Sequence, residues 1–267
     1  MQPNEASAPM RSTFAHAALV ALALLLSVVT TLADVVDNPA SGLPRLTSDE
    51  PFALISVRAP QGALADIWQL ALADIESDLA ILSDCRGRPD RCPSPAAGRF
   101  LNIVERARPY KGFARLAMIN SGVNAAILRD AVQRAGIAES WPTPLETFSA
   151  GRGACMHFAI AKYTALLLAG WPAHDMRLVI VWPDRAERPH MVLAARHSGH
   201  WYLLDNLRSA VVIDGKATNY IPLFVFDYRG ARELGRAESV DTPLHSRDVR
   251  MNAHVAPAIR LEAVGAH

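Results

Sequence analysis

Residues 151–163 read GRGACMHFAIAKY, a glycine-rich turn followed by the start of an apolar helix. The helix is predicted to continue through a leucine-rich stretch and to end at Gly170. The N-terminus of a helix favours negative charge, so Cys155 in the first turn gains thiolate character. The glycines also allow close approach of backbone and substrate. A single helical cysteine is usually a small buried hydrophobic residue, and only the context described below favours a nucleophile.

Two residues downstream of this helix complete a candidate catalytic set. His190 begins one β-rich run and Asp205 ends another. We expect a hairpin with a two- or four-residue loop at residues 198–199, in which His190 and Asp205 share a face as diagonal neighbours. A three-residue loop would place them on opposite faces. Cysteine, histidine and aspartate can then act as nucleophile, general base and the residue that orients the base.

Composition and charge exclude some classes of partner. The chain has 267 residues, a formal net charge of +1 and 20% charged residues. So small a net charge attracts neither nucleic acid nor an acidic membrane surface, and we expect neither as a partner. Hydrophobic residues make up 51% of the chain, enough for the core of one good-sized domain or two small ones.

The N-terminal residues 1–33 have the features of a signal peptide. Arg11 precedes an apolar run at 14–29 that contains no acidic residue, and small residues suitable for cleavage end at Ala33. The run is short for a transmembrane span, but an uncleaved N-terminal anchor remains the alternative and would be the chain's one contact with a membrane. Either way we expect a periplasmic or secreted protein, with an extended lead-in at residues 34–60.

Export makes the three cysteines informative. Cys85 and Cys92 flank a polar, turn-rich loop, and in an oxidising compartment a disulfide that closes this loop is the simplest interpretation. Zinc is the weaker alternative, because no second cysteine or histidine pair lies nearby at ligand spacing. Cys155 is then the odd cysteine of an exported protein, which strengthens its interpretation as a nucleophile.

The first half of the chain has helical periodicity. An extended connector rich in proline is predicted at residues 141–147, directly before the cysteine turn. Three helices are predicted before that connector, at residues 63–82, 100–108 and 113–134.

The second half changes to strand-like periodicity. Helices followed by an antiparallel sheet define an α+β domain, which we assign to residues 61–226. The polar, arginine-rich residues 227–267 are interpreted as a peripheral or disordered tail. Five β-rich runs are predicted, at residues 177–182, 190–196, 201–205, 210–213 and 220–225.

A series of short motifs, in fixed order and spacing, resembles a known family. The motifs are INSGVN at 119–124, WPTPLE at 141–146, GRGAC at 151–155, FAIAKY at 158–163, RLV at 177–179, HMVLA at 190–194 and LDNL at 204–207. Together they resemble the bacterial transglutaminase-like cysteine peptidases, which include the periplasmic LapG-type proteases. The resemblance implies a papain-like transglutaminase core, in which the nucleophile helix packs on an antiparallel β-sheet. It also implies that Cys155 is the nucleophile, His190 the general base and acid, and Asp205 the residue that holds the imidazole.

The sequence departs from this family next to the cysteine. Family members usually carry an acidic residue on each side of the cysteine and another shortly after it, where this chain has Ala154, Met156 and His157. In LapG-type proteases the flanking acidic pair binds calcium, which needs oxygen ligands. Ala154 and Met156 provide none, so we expect no calcium and no other cofactor. Loss of nearby negative charge also favours a thiolate, and His157 could add positive charge.

The leading functional hypothesis is an exported cysteine endopeptidase that forms an acyl-enzyme on Cys155. Its partner would be a protein or peptide substrate, with a surface protein as the candidate that the family suggests. A transglutaminase-type acyl transferase would use the same three residues with an amine in place of water. A non-catalytic binding protein on the same fold is the alternative from another class, since fold alone does not fix activity.

Overall fold

The structure, a computed structural model, describes residues 49–58, 63–130, 141–186 and 188–235. The predicted signal peptide at 1–33, most of the lead-in and residues 236–267 of the predicted tail lie outside these ranges. Within the described ranges, no helix combines the length and the hydropathy needed to cross a bilayer.

The helices agree with the sequence prediction in place but differ at their ends. The predicted helices at 63–82 and 100–108 are longer than expected, and the third ends at Ala126 instead of residue 134; residues 131–140 lie outside the described ranges. The cysteine helix begins at Cys155 as predicted. The helices are α1 (Ala63–Gly87), α2 (Pro95–Ala107), α3 (Gly112–Ala126), α4 (Pro144–Ala150) and α5 (Cys155–Leu168).

Helix α4 corrects the extended connector predicted at 141–147. The Thr143 side chain accepts a hydrogen bond from the Glu146 N–H at 3.1 Å, and the Glu146 carboxylate accepts one from the Thr143 N–H at 2.9 Å. Pro144 occupies the first turn, where its missing N–H costs nothing. This capping box starts a helix at Pro144, so only residues 141–143 are extended.

The described residues contain nine strands, and seven of them form one antiparallel sheet. The strands are β1 (Ile55–Arg58), β2 (Leu128–Arg129), β3 (Arg152–Gly153), β4 (Met176–Pro183), β5 (His190–His197), β6 (His200–Leu204), β7 (Val212–Ile213), β8 (Tyr220–Asp227) and β9 (Gly230–Gly235). The strand order is β1-β9-β8-β4-β5-β6-β7, and β2 and β3 form a separate parallel pair. The predicted α+β class is confirmed.

Two of the seven strands fall where the sequence predicted none. Strand β1 lies in the predicted lead-in, and β9 lies in the predicted tail after residue 226, so both boundaries of the domain need correction. The charges that made these segments look peripheral are paired with one another. Arg177, only 1% exposed, binds the carboxylates of Glu50 at 2.7 Å and Asp227 at 3.3 Å, and so fixes both segments to the sheet.

Helix α5 lies at the centre of the core. It packs against the four other helices and against β4 and β5, which explains why it is predominantly apolar and buried on most sides. Ile160 and Leu166 are fully buried, and replacing either by alanine costs about 2–5 kcal/mol. Because α5 is held on every side, the position of its first residue relative to β5 is well defined.

Candidate active site

The nucleophile candidate, Cys155, is the first residue of α5 and is 6% exposed. The turn before it needs glycine twice. Gly151 ends α4 in the left-handed conformation with φ 67°, and a Cβ on Gly153 would lie 2.5 Å from the His157 side chain. The glycine-rich turn is therefore a steric requirement for bringing Cys155 to the helix N-terminus.

The hairpin of β5 and β6 positions the other two candidates. His197 pairs with His200 and Leu193 with Leu204, so the loop has two residues, one of the two predicted loop lengths, and the strands have the predicted register. Both loop residues have positive φ, 49° at Ser198 and 79° at Gly199, which is the geometry of a two-residue turn that matches strand twist.

This register brings His190 and Asp205 into contact. Nε2 of His190 lies 2.8 Å from Oδ1 of Asp205, and both side chains are buried. His190 also forms a hydrogen bond with the side chain of Cys155. Since Nε2 is engaged by Asp205, Nδ1 is the ring nitrogen that can serve the cysteine. The three residues selected from the sequence thus form one hydrogen-bonded row.

The row favours a charged imidazole. Burial alone lowers the pKa of His190, but the hydrogen bonds with Asp205 and Cys155 outweigh it and raise that pKa to about 9. Burial likewise raises the pKa of Asp205, yet its contacts with His190 and other donors lower it to about 2. An ionised aspartate and an imidazolium next to a cysteine can stabilise a thiolate.

Asp205 has two further donors and a neighbouring charge that the sequence did not suggest. The hydroxyl of Tyr220 donates to Oδ2 at 2.5 Å, and the N–H of Leu207 donates to Oδ1 at 2.9 Å. Nε of Arg208 lies 3.7 Å from Oδ2. Burial and the bond to Asp205 raise the pKa of Tyr220 to about 12, so it remains a donor at neutral pH. Nothing local in the sequence distinguishes Tyr220 from an ordinary strand aromatic.

Two asparagines hold the segment that follows Asp205. Asn120 and Asn124 are polar residues of α3, and both bind this segment through their side-chain nitrogens. Asn124 donates to the carbonyls of Asp205 and Arg208 at 3.0 and 3.2 Å, and Asn120 donates to those of Arg208 and Ser209 at 3.3 and 3.2 Å. Helix α3 therefore supports the aspartate side of the site.

His157 plays a different part from the one expected. Its Nδ1 accepts a hydrogen bond from the backbone N–H of Ala154 at 3.1 Å, just before the nucleophile. Burial lowers the pKa of His157, although the carboxylates of Asp130 and Glu146 act in the opposite direction. Because Nδ1 can accept only when unprotonated, His157 is a neutral helix cap and not an added positive charge.

The residues around the cysteine do not fit a calcium ion. Ala154 and Met156 carry no oxygen in their side chains, and the facing nitrogen of His157 is occupied by a backbone N–H. In the described part of the chain, no three histidine, cysteine, aspartate or glutamate side chains cluster as a metal site would require. We derive no step through a metal, and independence from calcium stays a prediction.

The disulfide prediction is confirmed. Cys85, at the end of α1, is joined to Cys92 across the predicted loop. Cys155 is not part of a disulfide.

A family model for bacterial transglutaminase-like cysteine proteinases matches residues 79–224, more than half of the chain. The chain belongs to this family. The matched region contains Cys155, His190 and Asp205, and membership confirms the resemblance seen in the sequence. As a member of the family, the protein is a transglutaminase-like cysteine peptidase.

Solved structures of LapG from Legionella pneumophila are similar to the chain. The calcium-bound form is 22% identical over 67% of this chain and 98% of the LapG chain, with a TM-score of 0.49. The EGTA-treated form is 20% identical over 69% of this chain and 97% of the LapG chain, with a TM-score of 0.48. Likeness of this extent carries no information about substrate or metal. No curated protein matches the chain.

Proposed function

We propose that this protein is an exported endopeptidase that hydrolyses peptide bonds through Cys155 as nucleophile, His190 as general base and acid, and Asp205 as the residue that orients the imidazole. Family membership supports the peptidase class. The observation that carries the assignment of residues is the hydrogen-bonded row from Cys155 through His190 to Asp205, with 2.8 Å between Nε2 and Oδ1.

In the first half of the reaction the Cys155 thiol gives its proton to His190, and the raised pKa of His190 favours the imidazolium. The thiolate attacks the peptide carbonyl carbon, and the carbonyl electron pair moves onto oxygen. Backbone N–H groups in the first turn of α5 stabilise this oxyanion, because such groups lack intrahelical acceptors. The C–N bond breaks, His190 protonates the departing amine, and a thioester remains on Cys155.

In the second half, water replaces the amine. Neutral His190 accepts a proton from water while the oxygen attacks the thioester carbon. The C–S bond breaks, the new carboxyl product leaves, and the thiolate–imidazolium pair is restored. Asp205 holds the ring in one orientation throughout, and its bonds to Tyr220 and to the Leu207 N–H keep the carboxylate ionised.

The export half of the proposal rests on residues 1–33, which we propose are cleaved after Ala33. The Cys85–Cys92 disulfide supports an oxidising compartment, because disulfides persist outside the cytosol. We further propose that the substrate is a protein or peptide in the same compartment, a surface protein being the candidate suggested by the family resemblance.

The test uses the mature chain, residues 34–267, and a peptide library prepared from a bacterial proteome. New N-termini are counted by mass spectrometry for the wild type, Cys155→Ala, His190→Ala and a matched surface variant, His200→Ala. We expect new termini with the wild type and with His200→Ala and none with the other two. Equal counts in the wild type and Cys155→Ala would overturn the assignment.

A second arm distinguishes hydrolysis from acyl transfer. The same library is incubated with dansylcadaverine, a primary amine that competes with water for the acyl-enzyme. Hydrolysis predicts new carboxyl termini without dansyl label. Dansyl attached to glutamine side chains, without chain cleavage, would replace peptidase by transglutaminase.

A further inference from the structure

Lys162 is a buried charge that the proposed mechanism does not use. Its side chain is fully buried, and Nζ forms no hydrogen bond with any described residue. Nζ lies 5.9 Å from the centroid of the Phe158 ring on the same helix. A lysine is rarely fully buried unless paired, so this position is unusual for a scaffold residue.

The position of Lys162 relates it to the nucleophile. It lies two helical turns after Cys155 in α5, so the two side chains leave the helix on the same side, about 10 Å apart along the axis. Helix α5 packs on β5, the strand that begins with His190. A charge on Lys162 therefore lies in the core on the same helix as the nucleophile, next to the strand that carries His190.

Asp205 is the group that acts on Lys162. Burial lowers the pKa of Lys162 to about 7, against the attraction of the Asp205 carboxylate. Asp205 is itself surrounded by His190, Tyr220 and Arg208, so Lys162 acts on it through space. Below about pH 7 the ammonium is charged and adds to the positive potential around the carboxylate and the thiolate.

A purely structural role does not explain why a lysine occupies position 162. An apolar side chain of similar length would fill the same space without the cost of burying an amine, and such replacements are often neutral or stabilising. The buried amine is more readily explained by an electrostatic task at the site.

We propose that Lys162 is a positioning residue of the site: its buried ammonium, on the Cys155 side of α5 and within electrostatic reach of Asp205, favours the thiolate–imidazolium pair in mildly acidic solution. This inference rests on the proposed roles of Cys155, His190 and Asp205. It adds Lys162 as a further charged residue of the site.

The experiment measures the rate of Cys155 alkylation by iodoacetamide from pH 3.5 to 8 in the mature protein. Lys162→Met removes the charge and keeps the volume, whereas Lys162→Arg keeps the charge. Lys216→Met removes an exposed lysine as the matched control. We expect Lys162→Met to move the midpoint of the acid limb upward by roughly half to one pH unit. Lys162→Arg and Lys216→Met should keep the wild-type midpoint.

Two further measurements make each outcome decisive. Lys162→Gln, which is neutral and polar, should shift the midpoint in the same direction as Lys162→Met, and near-ultraviolet circular dichroism checks that each variant is folded. The shift should persist in 0.5 M sodium chloride at about its low-salt size, because buried charges are screened little. A folded Lys162→Met variant with the wild-type midpoint would overturn the inference.

Alkylation needs no substrate turnover, so the inference and the proposed function can fail separately. If His190→Ala alkylates with the wild-type pH profile, the Cys–His pair itself is wrong. If His190→Ala slows alkylation at acid pH but Lys162→Met does not move the midpoint, only the role of Lys162 is wrong.

Discussion

The hydroxyl of Tyr220 donates to Asp205 at 2.5 Å, on the carboxylate oxygen that His190 does not use. One carboxylate is thus held from two directions by side chains of two different strands, β5 and β8. The backbone N–H of Leu207 adds a third donor from the loop. The orientation of His190 depends on this fixed carboxylate.

Removing the hydroxyl of Tyr220 tests this dependence. In Tyr220→Phe the carboxylate of Asp205 loses a buried donor, and we expect kcat/KM to fall about tenfold, equivalent to about 1.4 kcal/mol. Peptide cleavage rates of the variant and the wild type provide the measurement. Tyr228→Phe is the matched control, because Tyr228 is 52% exposed. Unchanged kcat/KM in Tyr220→Phe would show that His190 and the Leu207 N–H hold the carboxylate on their own.

The stability of the folded protein should depend on pH through the ion pair of His190 and Asp205. The pKa of His190 is raised from 6.5 to about 9, so its contribution is complete below pH 6.5 and is lost as the pH rises through 9. The pKa of Asp205 is lowered from 3.8 to about 2, so its contribution is present above pH 3.8 and is lost as the pH falls through 2.

Urea unfolding checks the alkaline part of this prediction. We expect the wild type to lose on the order of 2 kcal/mol of unfolding free energy between pH 6.5 and 9.5. His190→Gln, which does not titrate, should lose much less over the same interval. Parallel curves for the two proteins would contradict the raised pKa of His190.

The neutral helix cap formed by His157 predicts that the protein loses stability as the pH falls. Burial lowers the pKa of His157 below 6.5, so the cap is complete above pH 6.5 and is lost as the pH falls through the folded value. His157→Ala should lose about 1 kcal/mol of unfolding free energy at pH 7. His157→Gln can reach the Ala154 N–H without titrating, and should keep most of that stability.

Thermal unfolding at pH 5 and pH 7 provides the comparison. We expect the melting temperature of the wild type to fall more between pH 7 and pH 5 than that of His157→Gln. If all three proteins respond alike to pH, the hydrogen bond from Ala154 contributes nothing to stability.

Calcium should have no effect on this chain. With Ala154 and Met156 beside the cysteine, we expect the melting temperature and the alkylation rate to be the same in 1 mM calcium chloride and in EGTA. The double variant Ala154→Asp and Met156→Glu supplies carboxylates at those positions, and calcium should raise its melting temperature by a few degrees. A calcium-dependent increase in the wild type would reveal a site built from other residues.

Local patterns were sufficient to predict the hairpin. The two-residue turn at Ser198 and Gly199 follows from residues adjacent in sequence, and the register then fixes which face His190 and Asp205 share. The nucleophile helix could also be predicted from local sequence, since apolar periodicity and a glycine turn define its start. These features needed no knowledge of distant parts of the chain.

Non-local contacts could not be predicted in the same way. Tyr220 reaches Asp205 because β8 pairs with β4, and no spacing in the sequence specifies that pairing. The polarity of Asn120 and Asn124 was visible, but their acceptors lie more than 80 residues away. Strand β9 was missed because its charged residues look solvated until their partners in other segments are known.

The pairing of β1 with β9 determines which fragment of this protein is suitable for expression. A fragment covering residues 61–226 would remove both strands and leave the backbone groups of β8 open along one side, a template for intermolecular pairing. It would also leave Arg177 inside the sheet without Glu50 and Asp227. Soluble material therefore requires a fragment that starts before Glu50 and extends past Gly235.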